Sequence, residues 1–136
     1  MKWTDLIGIP FVDGGRDPTT GLDCWGLFIV ARRCFGFLTP DYAISCFATD
    51  LIDNAVAQAV LDQWYPIKTP YPGCGVAMRT DAGCPEAVQH FGVYVGNNRF
   101  LHTLAKTGAI QTRLDDRYFG RKIVGYYRYM HDHSGQ

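Results

Sequence analysis

The chain has 136 residues, 47% of them hydrophobic and 19% charged, a composition that supports one folded domain with its own core and excludes a disordered chain. Thirteen Lys and Arg balance thirteen Asp and Glu, so no overall field draws the protein to nucleic acid or to an anionic membrane. No segment approaches the roughly 18 consecutive apolar residues of a membrane span, and the opening MKWTDLIGIP does not read as a secretory signal, so synthesis in the cytoplasm is expected.

In chain order, FVDGGRDPTTG (11–21) is a turn-rich loop broken by Gly14, Gly15, Pro18 and Gly21. The spacing of Leu27, Val30, Ala31, Cys34, Phe35 and Leu38 predicts a helix over 24–37 with Asp23 as its N-cap. Phe28 and Ile29 widen its apolar face until most of the helix is buried, with Arg32 and Arg33 at the wet edge. A second amphipathic helix is expected over 49–63. The period then becomes that of strands, in VAMR (76–79), HFGVYVG (90–96), RFLHTLA (99–105), AIQTR (109–113) and IVGYYRYM (123–130). Helices first and hairpin-linked strands second indicate an α+β domain over 1–130, with an antiparallel sheet of about five strands packed on the Cys24 helix. Residues 131–136 form a polar tail, and its HDH reads as an exposed end.

Five cysteines, at 24, 34, 46, 74 and 84, are an odd number and argue against a disulfide framework. Cys74 and Cys84 flank a Gly/Pro-rich loop that would allow them to pair. No CxxC or HxxxH spacing is present, so no metal site is expected.

Cys24 stands out by position. A thiol in the first turn of a helix meets unpaired backbone N–H groups and the positive end of the helix dipole, which favour the thiolate and can hold an oxyanion. Such a nucleophile needs a histidine to carry its proton, and only His90 and His102 lie within structured sequence. They sit twelve residues apart in the hairpin HFGVYVGNNRFLHT. A two-residue loop at Asn97-Asn98 would pair Gly96 with Arg99, set His102 opposite Val93 and send the rings to opposite faces. A three-residue loop with Asn98 left-handed would set His102 opposite Gly92, with both rings on one face at diagonal positions.

Together these segments resemble the NlpC-type cell-wall peptidases, papain-like bacterial cysteine enzymes. The resemblance rests on PFVDGGRDPTTGLDCWGL, on the His-strand-turn-strand-His hairpin HFGVYVGNNRFLHT and on the closing VGYYRY, and it spans about residues 5–128. It implies an endopeptidase acting on peptidoglycan stem peptides, between D-glutamate and diaminopimelate or lysine. Cys24 would be the nucleophile, His90 the general base and His102 the orienting residue, without cofactor or metal. A lone domain of this kind resembles the phage-tail-associated members, with other tail proteins as partners and delivery in the virion. Phe11 stands where members commonly carry a tyrosine, PGCG (72–75) replaces a common Pro-Gly-Asp, and Trp25 follows the nucleophile where serine is frequent. Asp23, Trp25, Phe11 and Arg16 are the candidates for oxyanion or substrate contact, Arg16 through the fork that suits a carboxylate. The competing expectation is a catalytically weak tail or wall-binding component of the same fold, for which Phe11 is the main argument.

Overall fold

A computed structural model of the chain describes residues 1–41, 62–79 and 90–132. The helix expected over 49–63 falls almost wholly outside these residues, as do Cys46 and Cys84.

The Gly-rich loop is more ordered than its composition suggests. Two short strands, β1 (Arg16–Asp17) and β2 (Gly21–Leu22), fold it into an antiparallel ribbon immediately before helix α1 (Cys24–Cys34). The helix stops three residues short of the expected end because Gly36 takes φ +88°, the left-handed conformation that closes helices. The Gly36 N–H bonds the Arg33 carbonyl at 2.9 Å.

Six strands then build one antiparallel sheet in the order β3-β8-β4-β5-β6-β7. Five of them, β4 (Gly75–Met78), β5 (His90–Gly96), β6 (Arg99–Leu104), β7 (Gly108–Arg113) and β8 (Ile123–Tyr129), match the strand-like runs of the sequence to within a residue. The sixth, β3 (Trp64–Ile67), was not among the expected runs and contains Pro66, which has no N–H to donate to a ladder. Its place at the sheet edge resolves this, since an edge strand loses nothing by a missing donor on its open side. The opposite edge, β7, is partly covered by the N-terminal segment: Gly8 N–H bonds Ala109 O at 2.8 Å and Ala109 N–H bonds Ile9 O at 2.9 Å.

Helix α1 packs chiefly on β5 and β6. Leu27, Phe28, Val30 and Ala31 of the helix join Phe91, Val93, Val95 and Leu101 of the sheet, with Trp64 and Tyr129, in the main core. A smaller cluster of Val76, Met78 and Phe100, with Tyr94 and Phe119 against it, gathers the alternate strand positions. Among the described residues the architecture is α+β, with helix α1 against one antiparallel sheet that carries hydrophobic residues on both faces.

Candidate active site

The turn around Cys24 is organised by Asp23. Its backbone is extended and its buried carboxylate accepts from Gly26 N–H at 2.7 Å, which is an N-cap, and from Gly14 N–H at 3.1 Å. Arg16 Nη1 adds a third bond to the same carboxylate at 2.7 Å while its Nε reaches Asp41 at 3.0 Å. One side chain thus starts the helix and clamps the preceding loop onto it. The spacing of GLDCWG follows: a Cβ on Gly26 would collide with the Gly15 carbonyl oxygen, and one on Gly15 with that of Gly21. Cys24 is left as the first helical residue, 2% exposed.

Cys24 is held in a disulfide, whereas Cys34 and Cys74 are free. This corrects the expectation that disulfides are absent, and it removes Cys74 as a partner for Cys84. The expectation weighed an odd count and a compartment, and neither senses how closely two sulfurs approach. Cys74 is fully buried and its thiol is pushed up to about 12 by burial, so it is unreactive at neutral pH. Burial also raises the half-buried Cys34 thiol.

The histidine hairpin combines both loops considered above. Asn97 and Asn98 form a two-residue turn with φ +53° and +63°, the left-handed pair of a tight hairpin, and Gly96 pairs with Arg99. A bulge between Tyr94 and Gly96 then shifts the register by one, so Val93 pairs with Leu101. His102 therefore comes opposite Gly92, whose missing side chain leaves it room: a Cβ there would lie 3.4 Å from that of His102. His90 Nε2 and His102 Nδ1 are hydrogen-bonded at 2.8 Å. Burial pushes both imidazoles below the ordinary 6.5, and at His102 the neighbouring ring adds to it.

Two residues invisible to sequence reasoning complete this region. Thr112 Oγ1 lies 2.7 Å from His102 Nε2. The register that pairs Phe100 with Thr112 and His102 with Ile110 puts the hydroxyl on a diagonal to the ring. Phe119 meets the edge of the same ring, with centroids 4.7 Å apart.

The remaining candidates are occupied. Trp25 is 4% exposed, packed on Phe28 and Phe91 with centroids 4.7 and 5.1 Å away, and its Nε1–H bonds Pro40 O at 3.0 Å. It is a core residue, not a platform in a cleft. The contact with Phe91 joins the residue after Cys24 to the residue after His90, bringing the two segments together. Asp23 and Arg16 hold each other in an ion pair, the carboxylate buried and the guanidinium side chain partly exposed. Phe11, half-buried, lies between Pro10 and Val12, whose backbones bond Leu22 two residues before Cys24. Among the described residues, no group of three or more His, Cys, Asp or Glu side chains is arranged to hold a metal ion.

The arrangement has counterparts among known proteins. The model of the NlpC/P60 family matches residues 8–128. The chain is 29% identical over 138 aligned positions to the murein DD-endopeptidase MepH of Escherichia coli K12, covering 95% of this chain and 44% of MepH. It therefore spans less than half the length of that relative. NlpC2 of Trichomonas vaginalis superimposes on 93% of this chain and 44% of its own, with a TM-score of 0.67 at 21% identity. An NLP/P60 family protein of Staphylococcus aureus Mu50, described as similar to a lipoprotein, matches 96% of this chain and 39% of its own, with a TM-score of 0.63 at 22% identity. These structures share the papain-like fold, and with the family match running over nearly its whole length the chain belongs to the NlpC/P60 family.

Proposed function

We propose that the protein is a cysteine endopeptidase of peptidoglycan in which reduced Cys24 is the nucleophile, His90 the general base and His102 its orienting partner. The observation that carries this reading is the 2.8 Å bond between His90 and His102 on strands against which the Cys24 helix packs. With Nε2 committed to His102, Nδ1 is the His90 nitrogen that takes the proton from Sγ. The thiolate, favoured by the helix dipole, attacks the carbonyl carbon of the scissile amide. As the tetrahedral adduct collapses, the C–N bond breaks and His90 returns the proton to the leaving amine. Water, deprotonated by the same ring, then splits the thioester and restores Cys24. Both imidazoles are held neutral by burial, the form a base requires.

The name of MepH supports wall peptide as the substrate class, and its DD designation points to a bond between two D-residues. The sequence resemblance favours D-glutamyl–diaminopimelate or –lysine. Delivery in a phage tail is a further part of the proposal, resting on that resemblance alone; immunoblotting of purified virions tests it.

The deciding experiment incubates wild type and Cys24→Ala with peptidoglycan and stem peptides, with and without a thiol reductant, and reads the products by mass spectrometry. New fragments from the reduced wild type alone are expected, since the nucleophile is tied up until its disulfide opens. His90→Ala is expected to lower the rate by about 100-fold or more. Fragment masses separate the two bond classes. No fragments from folded, reduced wild type, together with retention on the wall in a pull-down, would assign the weak, wall-binding role instead.

A further inference from the structure

We propose that Thr112 is a positioning residue of the histidine pair: by accepting a hydrogen bond from His102, its hydroxyl fixes the tautomer that leaves His90 able to take the Cys24 proton. The proposal rests on the Cys24–His90–His102 reading above.

Three groups form a chain, with His90 Nε2 2.8 Å from His102 Nδ1 and His102 Nε2 2.7 Å from Thr112 Oγ1. A neutral imidazole carries one N–H, so the protons can run through this chain in only two directions. In one, Thr112 O–H donates to His102 Nε2, His102 Nδ1–H donates to His90 Nε2, and the His90 proton sits on Nδ1. That ring cannot receive the thiol proton. In the other, His102 Nε2–H donates to Thr112, His102 Nδ1 accepts from His90 Nε2–H, and His90 Nδ1 carries a lone pair. Only the second direction survives the proton transfer, because protonated His90 has two N–H groups and its Nε2–H still needs His102 as acceptor. His102 must then donate through Nε2.

The surroundings leave this task to Thr112. His102 is fully buried, with Phe100 tilted over it and Phe119 at its edge, both at 4.7 Å between centroids. Among the described residues, Thr112 Oγ1 is the one polar atom bonded to Nε2. Its β-branched side chain has few rotamers, which holds the oxygen in place. A neutral hydroxyl also orients the ring without drawing positive charge onto His102, as a carboxylate would, so the charge of catalysis stays on His90.

Two measurements test this on reduced protein. Alkylation of Cys24 by iodoacetamide, followed by peptide mass spectrometry, is expected to slow about tenfold in Thr112→Val, and Thr112→Ser is expected to restore the rate. Ring-nitrogen NMR of the wild type is expected to show His102 protonated at Nε2. A wild-type rate in folded Thr112→Val, or His102 protonated at Nδ1, overturns the proposal; the NMR result decides even if the valine variant does not fold. His90→Ala is the control. If it alkylates at the wild-type rate, the nucleophile reading fails and takes the proposal with it. If it slows while Thr112→Val does not, Thr112 alone is excluded.

Discussion

Arg32 and Asp132 are 100 residues apart in the chain and form a buried ion pair in the fold. Arg32 Nη1 also bonds Gly73 O at 2.8 Å and Nε bonds Thr39 Oγ1 at 2.7 Å, while Tyr71 donates its hydroxyl to Asp132. The guanidinium carbon lies 5.0 to 6.0 Å from the ring centroids of Phe28, Phe37, Trp64 and Tyr129. Sequence reasoning set Arg32 at a wet edge and Asp132 in an exposed tail; both are almost fully buried, while the neighbouring His131 and Arg33 are exposed. Nothing local separates Arg32 from Arg33, because the partner lies 100 residues further along the chain. Removing it leaves a buried, uncompensated cation, so Asp132→Ala is expected to destabilise the protein by about 3–5 kcal/mol in urea unfolding. A loss below about 1 kcal/mol, the range of exposed pairs, would show that this site is solvated.

Among the elements, the β5–β6 hairpin does most to set the site. The even spacing of its histidines and the tolerance of asparagine for positive φ were legible, and they narrowed the geometry to two registers. The outcome needed one more feature: a two-residue turn followed by a bulge, giving the pairing that a longer loop would have given. Gly92 is the hinge of this arrangement, since a Cβ there would sit 2.9 Å from Leu101 O and 3.0 Å from a Phe100 ring carbon. Gly92→Ala must push β6 aside. It is expected to cost about 1–3 kcal/mol in stability and to slow Cys24 alkylation through a stretched His90–His102 bond. Wild-type stability with a wild-type alkylation rate would mean that the hairpin absorbs the methyl without moving the rings.

For the whole molecule, the buried histidines tie stability to pH. Their folded values lie below 6.5, the value of the free side chain, so between those folded values and 6.5 the unfolded chain binds more protons. Stability from this source is fully present above 6.5 and is lost as pH falls toward the folded values, by at most about 1.4 kcal/mol per pH unit for each histidine. With Cys24 kept in its disulfide, no thiolate offsets the burial. Thermal midpoints of the oxidised protein are therefore expected to fall between pH 6.5 and 5, and His102→Asn to flatten the decline. A flat profile in the wild type would mean that the rings are hydrated in the folded state.

The sequence by itself determined what neighbours within a few residues decide. Asp23 caps its own helix through Gly26, two asparagines turn the hairpin, and the period of two marks five strands. Tertiary structure alone decided the insertion of β8 between β3 and β4, the Arg32–Asp132 pair and the Thr112 contact to His102. Capping and turn energies depend on adjacent backbone geometry, which the local sequence carries. Which strand lies beside which, and in what register, depends on how the whole apolar surface is buried at once, and only that packing brings distant polar groups within bonding distance.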